Sequence, residues 1–216
     1  MKDVEAVRIA SRIIAIDTTS EFGSIALTEG GALVEEIEIH STDGFGPILF
    51  DLLAEMMKRH GWTYDSVGGY AAAAGPGSFT GVRVGLSAVK GLAEVCGARA
   101  AAVSNLQAMA MYGSAAVRAP FFDARRSEIF GGLFDGNCEP VAPETAQALT
   151  SWLGSLPKGA ELLCQTPESF GVEATRVPRA LASAVAKLAP RCWQDPAALD
   201  ANYVRRSDAN LNWTDK

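Results

Sequence analysis

Gly75-Pro76-Gly77-Ser78-Phe79-Thr80-Gly81 stands between an apolar run, Val67 to Ala74, and a helix-compatible segment, Val82 to Cys96, that opens Val82-Arg83-Val84-Gly85-Leu86. Strand, glycine-rich loop and helix in that order make one α/β crossover. Glycine admits positive φ and lets backbone approach a ligand closely. A helix N-terminus adds unpaired N–H groups and the positive end of a dipole, which suit a phosphate. Ser78 and Thr80 can supply hydroxyl donors or cap the helix. No Gly-Lys-Ser/Thr follows, so this is not a Walker-type loop. Gly75, Pro76, Gly77, Ser78, Thr80 and Gly81 are therefore candidates for an anion- or nucleotide-facing loop. A tight strand-to-helix connection that binds nothing explains the same spacing.

Upstream, Ile13-Ile14-Ala15-Ile16 reads as a buried strand that stops at Asp17-Thr18-Thr19-Ser20. Small hydroxylated residues there, Thr18 and Thr19, can face a phosphate, and Asp17 can hold a metal ion. An Asx or Ser/Thr turn leaving the strand is the alternative. Gly23 to Thr28 and Ala32 to Ile39 read as strands joined by Glu29-Gly30-Gly31. Gly46 to His60 reads as a helix ended by Gly61. Downstream, Ala100 to Val103 is a short strand and Asn105 to Tyr112 a short helix. The second half opens with a hairpin, Ala119 to Asp123 and Glu128 to Phe134, around Ala124-Arg125-Arg126-Ser127. Glu144 to Leu153 is expected as a helix, Glu161 to Cys164 as a strand and Arg179 to Leu188 as a helix. Two halves each running strands, helix, strand, helix suggest a structural duplication without a residue-level repeat. The expected subdomains are residues 1–112 and 113–216, joined near Gly113 to Arg118. The polar tail, Asp195 to Lys216, is expected to be ordered only in part.

The two helices of the first half carry more apolar surface than one sheet can cover. At 100° per residue, Ile48, Leu49, Leu52, Leu53, Met56 and Met57, with Phe50 and Ala54, fill roughly 240° of the 46–60 helix, where a stripe of about 100° suffices. On the 82–96 helix only Arg83, Ser87, Lys90 and Glu94 form a polar strip, beside Gly85, Ala88, Gly91 and Ala93. The surplus is buried either by mutual packing of the helices or against a partner protein. Ile48, Leu49, Leu52, Leu53, Met56, Met57, Arg83 and Ala88 are the interface candidates.

Composition closes off other functions. The chain has 216 residues, 48% of them hydrophobic, and a formal net charge of −6. An acidic chain is repelled by phosphate backbones unless its basic residues cluster, so unaided nucleic-acid binding is not expected. Cys96, Cys138, Cys164 and Cys192 are widely spaced without a CxxC pair, which fits buried reduced thiols rather than a zinc knuckle or redox dithiol. His40 and His60 form neither HxxxH nor HExxH, and no GxSxG elbow occurs. No metal or other cofactor is expected. Met1 to Arg12 is not a signal peptide, and no run approaches the roughly 18 apolar residues of a membrane span, which points to the cytoplasm and away from membranes.

Taken together, Ile14-Ala15-Ile16-Asp17-Thr18-Thr19-Ser20, the stretch Gly75 to Leu86, Asp123-Ala124-Arg125-Arg126-Ser127-Glu128-Ile129-Phe130 and the late Tyr203-Val204-Arg205 resemble the bacterial TsaB (YeaZ) family, in order and spacing from about Ile13 to Asp208. The resemblance implies an actin/hexokinase-like α/β fold (the ASKHA class) of two related subdomains, each with a mixed sheet and flanking helices. It implies a non-catalytic subunit that supports TsaD, the threonylcarbamoyl transferase, in forming N6-threonylcarbamoyladenosine in tRNA beside the anticodon. A TsaD-like subunit and a TsaE-like ATPase are the implied partners, with a homodimer when the chain is alone and tRNA reached only through the complex. TsaD-like proteins carry two histidine metal ligands in the first-half helix; His40 to His60 here lacks that pair. In actin- and hexokinase-like folds the first loop usually has glycine after the aspartate; Thr18 stands there and narrows the approach to phosphate. Family members also run more directly from His-Ser into the helix, whereas Thr42-Asp43-Gly44-Phe45-Gly46 intervene here. The alternative is an enzyme of the same superfold, a small-molecule kinase or ATPase, or a metallopeptidase-like protein.

Overall fold

The computed structural model describes residues 11–205. The expectations for the first ten residues and for residues 206–216 of the tail lie outside them. The described residues form two compact units, residues 11–108 with 178–201, and residues 109–177 with 202–205.

The first unit is built on a six-stranded sheet. Its strands are β1 (Arg12–Asp17), β2 (Phe22–Glu29), β3 (Ala32–His40), β4 (Gly69–Ala73), β5 (Arg99–Val103) and β11 (Trp193–Gln194), in the order β11-β5-β4-β1-β2-β3. β1 is antiparallel to β2 and parallel to β4. Every residue of β1 is buried, which is why it reads as an unbroken apolar run rather than an alternating one. The β2–β3 turn uses Gly30 and Gly31 at φ +61° and +82°, a conformation glycine adopts without a Cβ penalty.

Two helices follow the order expected. α1 (Leu49–Arg59) lies between β3 and β4 and buries Leu49, Leu53, Met56 and Met57, each worth about 1.5–3 kcal/mol relative to exposure. It begins later than Gly46, because Pro47 and the turn at Gly44–Gly46 precede it and the N–H groups of Ile48 and Leu49 both donate to Phe45 O. Phe45 itself is buried in the core, so the five residues inserted before the helix contribute an apolar anchor. α2 (Phe79–Cys96) lies between β4 and β5 and begins three residues earlier than Val82, with Ser78 as N-cap and Gly97 as left-handed C-cap. Thr80 and Gly81 thus belong to its first turn.

The second unit repeats the plan. β6 (Val117–Arg125), β7 (Glu128–Asp135), β8 (Pro140–Gln147), β9 (Glu161–Cys164) and β10 (Thr175–Arg176) stand in the order β10-β9-β6-β7-β8. β6 pairs antiparallel to β7 and parallel to β9, as β1 does to β2 and β4. Residues 144–147, expected to start a helix, are the end of β8, where Thr145, Ala146 and Gln147 pair with Gly131, Phe130 and Ile129. Pro140 and Pro143 are tolerated because β8 is an edge strand. The helix there is the shorter α4 (Leu149–Ser155), which buries Trp152 against Phe121.

One difference concerns the division of the chain. Beyond α3 (Asn105–Ala110) the chain enters the second unit, but residues 178–201 return to the first. They carry α5 (Ala182–Leu188), buried along nearly its whole length, and β11. The N–H groups of Leu181 and Ala182 donate to Ser24 Oγ at 3.1 and 3.0 Å, and that of Ser183 to Glu36 Oε1 at 2.8 Å. Side chains of β2 and β3 thereby satisfy the start of α5, so the segment belongs to the sheet that caps it.

Candidate functional site

Asp17 ends β1 and is 2% exposed. Its Oδ1 accepts the Thr19 N–H at 2.9 Å and the Thr19 hydroxyl at 2.6 Å, an Asx turn. Burial pushes its carboxyl above the usual carboxylate range; the bonds from Thr19 and Asn105 pull it back, and the charge of Glu36 adds to the rise. Asn105, the first residue of α3, joins this turn to the glycine loop. Its Nδ2 donates to Thr19 Oγ1 at 2.5 Å, its Oδ1 accepts Gly75 N–H at 2.9 Å, and its N–H donates to Gly75 O at 2.9 Å. Sequence reasoning passed over Asn105; the only available signal is a short-chain polar residue opening a helix directly after a strand.

The glycine loop lies against the first loop. Ser78 N–H donates to Thr19 O at 2.7 Å, and Thr18 Oγ1 donates to Gly81 O at 2.7 Å. A β-carbon on Gly77 would fall 2.6 Å from Thr19 O, one on Gly81 2.0 Å from Thr18 O, and one on Gly85 2.7 Å from Thr18 Oγ1. Three glycines at four-residue intervals therefore admit this chain's own first loop, Gly77 and Gly81 its backbone and Gly85 the Thr18 hydroxyl. Thr18 and Thr19 are buried with Asp17, as are Gly75 and Pro76. Gly77, Ser78 and Thr80 remain exposed, and Ser78 Oγ accepts the Gly81 N–H at 3.3 Å as a cap.

The interface candidates separate by burial. Leu49, Leu53, Met56, Met57 and Ala88 are inside the hydrophobic core, so that part of the apolar arc is buried within this chain. Leu52 packs against the core half-buried, and Ile48 is half-buried. Arg83 is exposed, its guanidinium 3.7 Å from the centre of the Phe79 ring. The large apolar side chains left outside on these helices are Phe50 (49% exposed), Phe79 (44%) and Val95 (87%). Phe79 and Val95 were missed because neither was assigned an outward position; Phe79, next after the cap, sat in the expected loop. On α2 a β-carbon at Gly91 would meet nothing within 4 Å.

The histidines are engaged on the surface. His40 stacks on Phe22 with centroids 4.4 Å apart, and His60 Nε2 lies 2.7 Å from Glu35 Oε2. Arg59, then His60, hold the Glu35 carboxyl below its usual range against some desolvation. Among the described residues no three His, Cys, Asp or Glu side chains come together as a metal site, and none of the four cysteines is in a disulfide. No helix among them is long and apolar enough to cross a membrane. On the hairpin of the second unit, Arg205 Nη1 donates to Ala124 O at 3.0 Å and Nη2 to the Glu128 carboxylate.

Two units with one strand order, the first closing its glycine loop on its own Asp-Thr-Thr turn, define a duplicated α/β protein of the actin/hexokinase-like class. Residues 44–188 match the family model described as "TsaD: tRNA N6-adenosine threonylcarbamoyltransferase". The chain belongs to the TsaB/YeaZ family within that group. It is 30% identical over 149 residues to the Bacillus subtilis tRNA threonylcarbamoyladenosine biosynthesis protein TsaB, covering 67% of this chain and 65% of that protein. The Escherichia coli protein of the same name is 33% identical over 124 residues, covering 55% and 53%. The matched region thus spans less than two-thirds of either relative. The solved YeaZ from Pseudomonas aeruginosa shares the fold, with TM-score 0.74, 21% identity and coverage of 89% of this chain and 99% of that one.

Proposed function

We propose that this chain is a non-catalytic subunit of the cytoplasmic machinery that forms N6-threonylcarbamoyladenosine in tRNA, supporting a TsaD-type transferase and meeting tRNA only within that assembly. The observation that carries the reading is the closure of the glycine loop. The β-carbon side of Gly77, Gly81 and Gly85 is taken up by Thr18 and Thr19. A loop that spends its glycines on its own chain is a structural joint rather than a phosphate cradle. The names of the curated relatives supply the pathway.

The contact surface follows from what the helices leave outside. Phe50 on α1, and Phe79 with Arg83 stacked on it at the start of α2, are exposed groups of the types enriched at the centres of protein interfaces, and Val95 is a separate exposed apolar residue at the far end of α2. A TsaD-type subunit is the occupant in the working complex, and a second copy of the chain takes its place when the chain is alone. A TsaE-type ATPase joins that assembly.

Reconstitution tests the reading. tRNA modification by TsaD- and TsaE-type subunits is expected to require the wild-type chain and to fail with Phe79→Glu or Val95→Glu, each folded by circular dichroism and monomeric by light scattering. Modification that proceeds equally without the chain would refute the proposal. So would ATP turnover by the purified chain alone near ~1 s⁻¹, the low end for enzymes.

A further inference from the structure

The start of α2 is weak helix by composition. Gly81 and Gly85 both fall in its first two turns, and glycine keeps more backbone freedom than any residue with a side chain. The same turns carry exposed Phe79 and Arg83, with the guanidinium 3.7 Å from the centre of the ring. What holds these turns is the loop after β1. Thr18 Oγ1 donates to Gly81 O at 2.7 Å and would lie 2.7 Å from a β-carbon on Gly85, so the hydroxyl rests on the helix where both residues are glycine. Thr19 O accepts the N–H of the cap residue Ser78 at 2.7 Å. Thr18 and Thr19 are buried, and Thr19 is itself fixed by Asp17 Oδ1 and Asn105 Nδ2.

We infer that Thr18 is a positioning residue for docking of the TsaD-type subunit: its bond to Gly81 fixes the start of α2 and, with it, the Phe79–Arg83 pair. The inference rests on the proposed function, which sets that pair against the TsaD-type subunit. An aromatic anchor on a loose turn has to be ordered when the partner arrives, and the ordering subtracts from affinity; on a turn already held it does not. Here the order comes from the loop after β1 rather than from the sequence of α2, which spends glycine at the two positions that admit Thr18. The bond from Ser78 N–H to Thr19 O is independent of the Thr18 hydroxyl. Loss of the hydroxyl therefore loosens the turn without releasing the two loops from each other.

The test uses the full chain and a purified TsaD-type subunit, with association measured by titration calorimetry well below the melting temperature. Thr18→Val keeps the branched shape and deletes the donor; Thr18→Ser keeps the donor. Thr18→Val is expected to weaken association at least about fivefold and to speed amide exchange in the first two turns of α2, while Thr18→Ser stays within about twofold of wild type. Gly85→Ala displaces the same hydroxyl from the helix side and is expected to show the same loss. Val185→Ala, which removes buried volume from α5, is expected to lower the melting temperature and leave the affinity of the folded chain unchanged. In a Phe79→Ala background the effect of Thr18→Val is expected to shrink below about twofold, because the side chain it positions is gone. Unchanged affinity in Thr18→Val, or in Gly85→Ala should Thr18→Val not fold, overturns the inference. So does a loss that persists undiminished with Phe79→Ala or is matched by Val185→Ala. A wild-type chain that does not bind the TsaD-type subunit defeats the functional reading itself, and the inference with it.

Discussion

The carbonyl oxygens of Thr18 and Thr19 occupy the positions where β-carbons of Gly81 and Gly77 would project. Glycine is required there by steric contact with backbone, which cannot swing aside as a side chain can. Gly81→Ala is therefore expected to destabilise the chain by about 3 kcal/mol. On the same helix Gly91 has open space around it, and Gly91→Ala is expected to stabilise the isolated chain by about 0.5–1 kcal/mol through helix propensity. Urea unfolding of the two variants checks the contrast; equal effects would mean the two loops are not locked together. Asp17 gives a second expectation. Burial raises its pKa, so the folded chain holds the proton more tightly than the unfolded chain. Its contribution to stability is largest in acid and is lost as pH rises from the ordinary carboxylate range through the folded value. Asp17→Asn keeps an acceptor for Thr19 and removes the ionisation, so its stability should decline less over that window. Unfolding measured at several pH values decides it, and a slope matching wild type would contradict the account.

At the scale of elements, a few side chains fasten segments that have little regular structure of their own. Glu161, at the start of β9, accepts the N–H groups of Ser114 and Ala115 at 2.7 Å each and the Thr175 hydroxyl at 2.8 Å. Burial opposes its ionisation, yet these donors and the nearby Arg118 charge hold the carboxyl below its usual range. A depressed pKa contributes stability at neutral pH that is lost as pH falls through the folded value. Glu161→Gln should accordingly melt below wild type at pH 7, with the gap closing in acid; a gap independent of pH would show that the charge is not what matters. α2 shows the same economy at a helix end, where Ser78 caps one end and Gly97 the other.

At the scale of the molecule, one strand order is used twice, β3-β2-β1-β4-β5 and β8-β7-β6-β9-β10. The copies are not equal. The first has the long α2 between its two parallel strands, whereas the second has a single short turn, Pro167–Phe170, between β9 and β10. The first also receives residues 178–201, which add buried α5, Leu199 in the core and Trp193 against Gly69. A chain ending at Val177 lacks all three. It is expected to lose the near-ultraviolet signal and cooperative melting of the first unit; a truncated chain that melts like wild type would show that the returning segment is dispensable.

The sequence alone determined the strands β1 to β7 and β9, the glycine loop, the family and the duplication. Each rests on a local pattern, either an apolar run bounded by turn residues or a long motif such as Gly75 to Leu86. It misplaced residues 144–147, because a polar edge strand with few apolar positions carries neither helical nor alternating periodicity. It assigned residues 178–201 to the second half, since only the bonds from Ser24 and Glu36 reveal where α5 docks. The apolar arc of α1 was legible, but not which side of it faces the core. Tertiary packing decided that Leu49, Leu53, Met56 and Met57 turn inward while Phe50 stays outside. The glycine loop is the clearest case. Its spacing permits a phosphate or a second stretch of backbone equally, because glycine records only that something comes close. What comes close is Thr18 and Thr19, some sixty residues earlier in the chain, a contact that exists only once β1 and β4 lie side by side.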